Sequence, residues 1–331
     1  MTHRPIIAAL LFTLGLSTAS FAETVDATIK ARAISHFKVG SEEKIFGDFE
    51  FLGGLEFESD NDLVGAMSGF RFLSNRSDFL AVADTGYWFK GKVERDQNGM
   101  PKAISSFQIA SILDQNGQAS REKWRFDAEG LAIKGDLAFV SFERNARIDG
   151  YPLDKVLNSP VQENVPVQIP AGEFRQNGGL EALAVSPPNS ALKGAMVALS
   201  ERSVDENGHL FAAIVDGPQA GVFTVKRDAP FNITDADFLP SGDLLLLERR
   251  FNIATGVGMR IRRISGDDIK KGTVLDGDVL LEAGAGYQID NMEGMSITED
   301  EKGHINVTLV SDDNHSFLQR NLLLEFRLIQ N

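Results

Sequence analysis

Along this chain, short runs rich in Val, Ile, Leu and Phe alternate with tight polar turns. Runs at residues 79–83, 137–142, 196–199, 244–247 and 305–310 are bounded by Gly, Asp, Asn and Pro. Few segments hold a helical period for three turns, so the pattern predicts strands. Lys134-Gly135-Asp136, Pro240-Ser241-Gly242-Asp243 and Glu301-Lys302-Gly303-His304 each separate two apolar runs and predict tight hairpins. Asp96-Gln97-Asn98-Gly99, Asp114-Gln115-Asn116-Gly117 and Asp205-Glu206-Asn207-Gly208 have the composition of calcium loops. The EF-hand spacing, however, requires Glu where Phe107, Arg125 and Asp216 stand, so all three are read as plain turns.

A two-part phrase recurs over these strands at intervals of about fifty residues, the signature of stacked or radially arranged units. It runs Ser68-Gly69-Phe70 with Ala83-Asp84-Thr85, then Glu129-Gly130-Leu131 with Phe142-Glu143-Arg144, then Glu181-Ala182-Leu183 with Ser200-Glu201-Arg202. It continues as Asp237-Phe238-Leu239 with Leu247-Glu248-Arg249 and ends as Glu293-Gly294-Met295 with Ser311-Asp312-Asp313. Each unit holds an inner hairpin and has room for two outer strands, as at residues 209–215 and 221–227, which predicts an all-β propeller. Five units leave residues 29–57 at one end and 322–329 at the other. Joining these segments into one composite blade predicts six blades, closed by the N- and C-terminal segments. Residues 144–180, with Pro152, Pro160, Pro166 and Pro170, are expected to form an irregular excursion over one end of the ring.

In an antiparallel hairpin, the residue before the first strand and the residue ending the second share an edge. The phrase therefore predicts a ring of carboxylates at one channel mouth: Asp84, Glu129, Glu143, Glu181, Glu201, Asp237, Glu248, Glu293 and Asp312. Such a crowd must be offset by a cation, by shared protons or by Arg144, Arg202 and Arg249. Oxygen donors without Cys favour a hard divalent cation, calcium foremost. Among the histidines, only His315 follows closely on a ring acid. A plainer origin for the repeated acids is a turn or blade-to-blade hydrogen bond made the same way each time.

Arg4, the apolar run 6–16 and the small-residue end Ser20-Phe21-Ala22 read as a secretory signal cleaved after Ala22. The expectation is a periplasmic or secreted monomer, with residues 23–331 as a single domain and no membrane span after signal removal. The chain has no Cys and a formal net charge of −14, which excludes disulfides and argues against nucleic acid as a partner. No Gly-x-Ser-x-Gly elbow, phosphate-binding loop or His-Glu-x-x-His zinc helix is present in the sequence.

The segments Gly53-Gly54-Leu55, Met67-Ser68-Gly69, Phe126-Asp127-Ala128-Glu129-Gly130-Leu131-Ala132 and Gly179-Leu180-Glu181-Ala182-Leu183 resemble the phytase-like family labelled "esterase-like activity of phytase". Asp237-Phe238-Leu239-Pro240-Ser241-Gly242, Leu247-Glu248-Arg249, Asn291-Met292-Glu293-Gly294-Met295 and Val310-Ser311-Asp312-Asp313-Asn314 extend the likeness over most of the chain. The resemblance implies a propeller and hydrolysis of phosphoesters or other esters; in propeller phytases, calcium held by channel carboxylates binds phosphate and activates water. The expectation is an exported, metal-assisted hydrolase acting on a small anionic or ester substrate. Glu129, Glu181, Glu293 and Asp312 would be the catalytic acids, and Arg144, Arg202, Arg249 and His315 would bind substrate. A non-catalytic binding propeller with a structural cation and a calcium-dependent lactonase are the alternatives.

Overall fold

The computed structural model describes residues 23–73, 76–119, 125–175 and 178–329; the signal-like segment lies outside them. The chain opens with β1 (Val25–Ala27), β2 (Ile29–Ile34), β3 (Ile45–Phe46) and β4 (Phe49–Ser59). Blade one then follows as β5 (Met67–Phe72), β6 (Asp78–Ala83), β7 (Tyr87–Arg95) and β8 (Pro101–Ser111), with β1 added outside β8. Blade two is β9 (Ala128–Lys134), β10 (Leu137–Phe142), β11 (Arg147–Pro152) and β12 (Glu163–Val165). Blade three is β13 (Leu180–Val185), β14 (Met196–Val204), β15 (Leu210–Ile214) and β16 (Gly221–Val225). Blade four is β17 (Asn232–Phe238), β18 (Leu244–Asn252), β19 (Gly256–Ile264) and β21 (Asp278–Ala283), while β20 (Val274–Leu275) crosses back to pair in parallel with β16. Blade five is β22 (Asn291–Glu299), β23 (Ile305–Asp312) and β24 (Asn321–Leu328), continued outward by β4 and β2.

The described residues thus form five blades, not six. The six-blade count treats residues 322–329 and 29–57 as a blade of their own. Instead, β24 pairs with β23 on one side and with β4 on the other, so both segments complete the sheet that β22 begins. The innermost strands β5, β9, β13, β17 and β22 pack in a cycle, with β22 against β5. The expected excursion is corrected in part: β11 and β12 are the outer half of blade two, and of the residues after them Ala171, Phe174 and Arg175 lie near Glu143.

Five apolar clusters lie between successive blades, one per interface. Leu245, Leu247 and Ile261 of blade four meet Met292, Leu309 and Phe326 of blade five. Leu55, Val310 and Leu323 of blade five meet Phe70, Phe79 and Phe89 of blade one. Each blade therefore buries both faces only because it has a neighbour on each side. The three Asp-x-Asn-Gly turns are turns indeed: Asp96, Asp114 and Asp205 each use Oδ1 to accept the backbone N–H groups of the residues two and four further on, for Asp96 those of Asn98 (2.8 Å) and Met100 (2.9 Å).

Candidate active site at the channel mouth

Every innermost strand carries a β-bulge near its start. The pairing skips one residue between Met67 and Gly69, Leu180 and Ala182, Ile233 and Asp235, and Met292 and Gly294, while Glu129 and Gly130 together oppose Ser141. The extra residues are Ser68, Glu181, Thr234, Glu293 and, by the same pattern, Glu129. A bulge frees one residue from the ladder and re-aims its side chain. The next residue faces the neighbouring blade: a Cβ on Gly69 would lie 2.7 Å from the carbonyl oxygen of Glu129, and one on Gly130 would lie 2.7 Å from that of Glu181. The repeated Glu-Gly phrase therefore has two causes, with the acid belonging to the bulge and the glycine to blade packing.

The same register fixes the second half of the phrase. The residues following the partners of the pre-bulge positions are Asp84, Glu143, Glu201, Arg249 and Asp312. Blade four thus supplies Thr234 and Arg249 where its neighbours supply acids. Asp237 stands three residues further along β17 than the bulge, and it accepts the N–H groups of Phe238 (2.9 Å) and Ile297 (2.8 Å) away from the mouth. Glu248 points to the opposite face of β18 from Arg249 and is buried between Arg260 and Arg262, with Arg262 Nη2 at 2.6 Å. Neither residue joins the ring: β17 and β18 keep the bulge and register of the other blades, so Thr234 and Arg249 hold the ring positions, and Asp237 lies three residues after the first while Glu248 lies one residue before the second, on the other face.

Four of the remaining acids come together with Asp127, while Asp84, Glu293 and Asp312 belong to neither group. One oxygen each from Asp127, Glu129 and Glu143 lie within 4.8 Å of one another, as do oxygens from Glu143, Glu181 and Glu201. Glu143 belongs to both triads. Asp127, just before β9, is an addition that the recurring phrase did not signal, because the phrase places only one acid at the start of each inner strand. Glu293 receives Arg249 Nε (2.9 Å) and Asn291 Nδ2 (2.8 Å), both on Oε1. Arg202 Nη2 donates to Glu201 (2.7 Å) and Arg144 Nε to Asp127 (2.8 Å). The three arginines expected to bind substrate are therefore engaged by acids of the ring. His315 sits on the exposed turn after β23 and lines a groove of about 870 Å³ with Arg32, Glu56 and Phe317, outside the carboxylate cluster.

Beneath the ring, Arg71 of β5 fills the channel. Its guanidinium contacts Asp235 through both terminal nitrogens (2.7 and 3.0 Å) and donates to the carbonyls of Leu183 (2.7 Å), Ala236 (2.8 Å) and Met295. Strands β13, β17 and β22 are thus tied to β5 by one buried side chain, a feature the apolar appearance of Met67–Phe72 concealed.

Electrostatics follow from this crowding. Burial, then the carboxylates of Asp127, Asp84 and Glu143, push Glu129 well above the ordinary range; burial, Glu129 and Glu201 do the same to Glu181. Burial raises Glu293 to about 7 although Arg249 opposes it, and raises Asp312 to about 8 although the N–H of Asn314 opposes it. Such a site is short of positive charge. Its donors are oxygens only, and no two oxygens of a triad stand further apart than about 4.8 Å, the span of two calcium ligands at about 2.4 Å on opposite sides of the ion. The donor set fits a hard cation.

The fold and this site define a five-bladed propeller with a cluster of carboxylates at one end of its innermost strands. An α-L-arabinofuranosidase from Podospora anserina, solved with cellotriose, is similar with a TM-score of 0.50 at 14% identity, over 85% of this chain and 97% of that one. A protein described as an oxidoreductase (glucose dehydrogenase) from Thermus thermophilus has a TM-score of 0.34 at 12% identity, over 90% of this chain and all (100%) of that one. At these identities the first likeness concerns the fold alone. A search of curated proteins gave no match. The sequence model of the phytase-like family, "Esterase-like activity of phytase", matches residues 62–315, and the chain belongs to that family.

Proposed function

We propose that the channel mouth is the site of an exported, metal-assisted ester or phosphoester hydrolase that works as a monomer. The observation that carries this reading is the pair of carboxylate triads sharing Glu143. Asp127, Glu129, Glu143, Glu181 and Glu201 would hold a calcium ion or similar cation, which when bound polarises an ester carbonyl or phosphoryl oxygen. Glu293, held near neutrality, has the pKa suited to accept a proton from an attacking water. With Arg249 and Asn291 both on Oε1, its Oε2 is the oxygen left for that proton. Asp312, raised to about 8 in the metal-free site by its burial, is the carboxyl we assign to donate to a leaving oxygen.

A second reading has its own support. The pairing of Arg144, Arg202 and Arg249 with ring acids suits a binding propeller in which any cation is structural. The lactonase alternative rested on six blades and loses that basis. We also propose that the β4–β24 pairing is what latches the ring. The deciding experiment is Glu293→Gln, with calcium affinity, hydrolysis of phosphate and carboxyl esters, and melting temperature measured on one preparation. Loss of hydrolysis with the fold retained supports the enzyme; unchanged hydrolysis removes Glu293 from the chemistry, and no hydrolysis by the parent protein favours the binder.

A further inference from the structure

A cavity of about 510 Å³ opens directly beside Glu143, lined by Arg144, Ala146, Ala171, Phe174 and Arg175. That volume lies in the range of small-molecule sites. The ring of Phe174 and the backbone of Arg175 are built into place. Phe174 packs onto the cluster containing Ile169, Leu180 and Met196, so its ring is backed by core. The backbone N–H of Arg175 donates to Ser203 Oγ (3.0 Å), and that fully buried hydroxyl donates in turn to the carbonyl of Gly178 (2.6 Å). Arg144 is already engaged by Asp127. The side chain of Arg175 has no carboxylate partner among the described residues and is exposed, an uncommitted cation beside a crowd of acids in a chain of net charge −14.

We propose that this cavity is the subsite for the uncleaved part of the substrate, taking a planar apolar group that bears a second anion, with Phe174 as its platform and Arg175 as its anion-selecting residue. The proposal rests on the reading of the mouth as a hydrolytic site and adds its substrate class. An aromatic ring and a guanidinium lining one cavity complement an aryl carboxylate or an aryl phosphate, and discriminate against neutral aryl esters.

Phenylphosphonate and 4-carboxyphenylphosphonate, whose C–P bonds resist hydrolysis, test it by calorimetry on the full-length protein with calcium. The carboxylated probe should bind about tenfold more tightly, as for a charge-assisted hydrogen bond. Arg175→Ala should reduce that ratio to about one, and Arg175→Lys should restore part of it. Phe174→Ala should weaken both probes alike and keep the ratio. A ratio unaffected by Arg175→Ala, or no binding of either probe, overturns the subsite. A separate calcium titration keeps the two readings apart: if calcium changes neither melting temperature nor probe affinity while the Arg175-dependent ratio persists, the metal site fails and the subsite stands.

Discussion

Arg71→Met is the sharpest test of how the channel is held. Arg71 is 5% exposed and Asp235 is 1% exposed, so neither can turn to solvent when the other is removed. Arg71→Met strips Asp235 of two charge-assisted bonds and leaves the carbonyls of Leu183, Ala236 and Met295 short of a donor. Breaking a buried pair by deleting one partner costs roughly 3–5 kcal/mol. At roughly 2–4 °C per kcal/mol for a domain of this size, the melting temperature should fall by about 6–20 °C. Asp235 retains the N–H groups of Met295 (2.7 Å) and Ala236 (2.8 Å), and an Asn side chain can accept the first of these. Adding Asp235→Asn to Arg71→Met should therefore recover about 1–3 kcal/mol as the coupling energy of neighbouring groups. The assay is calorimetric unfolding of the parent, both single variants and the double variant in chelator at one pH. A loss under about 1 kcal/mol for Arg71→Met, or strict additivity of the two changes, would refute the plug.

Further outcomes are expected. Calcium at a hundredfold excess over its Kd should add about 2.7 kcal/mol of stability, and identical thermal scans in millimolar calcium and in chelator would rule the cation out. The metal-free protein should lose stability as pH rises. Glu293 and Asp312 move from 4.5 and 3.8 to about 7 and about 8 on folding, so the folded state holds protons that the unfolded chain has released across that window. Stability should be greatest near pH 4 to 5, fall through pH 8, and be restored by calcium; a rise from pH 5 to 8 in chelator contradicts this sign. Deleting residues 322–331 removes β24 from between β23 and β4 and should yield aggregates by light scattering. A soluble, equally stable truncation would show that the latch is elsewhere.

Strand existence was readable because each apolar run had to fill an interface between two blades: residues 137–142 coincide with β10, and the hairpin at Lys134-Gly135-Asp136 joins β9 to β10. The blade number was not, because the last repeat lacks outer strands of its own, and periodicity along the chain cannot report a sheet assembled from β22–β24 with β4 and β2. The site was legible where the bulge keeps an acid, at Glu129, Glu181 and Glu293. It was misread in blade four, where Thr234 occupies the bulge and Asp237 only imitates its spacing. Arg71 carried no periodic signal, since one strand supplies it to three others.

The departure of blade four from the pattern gives the mouth its polarity. Five identical units would surround the channel with acids evenly and offer no direction to a substrate. Here blades two and three supply both triads, blade five supplies the two carboxyls titrating near neutrality, and blade four sets Arg249 against Glu293. The field of Glu293, and then of Glu201 and Glu181, raises the Arg249 guanidinium further despite its burial. A cation on the side of blades two and three, beside the cavity that carries Arg175, would leave Glu293 and Asp312 facing it from blade five. Charge stabilisation and proton transfer would then act from different blades on a group between them. Replacing Arg249 by Leu should therefore do more than break one ion pair: it removes the group that opposes protonation of Glu293, so the carboxyl should titrate above 7. The pH at which any hydrolysis is half-maximal on its acid limb should rise with it. An acid limb unmoved in Arg249→Leu, with the fold intact, would show that Glu293 does not carry the proton and that the asymmetry of blade four serves packing alone.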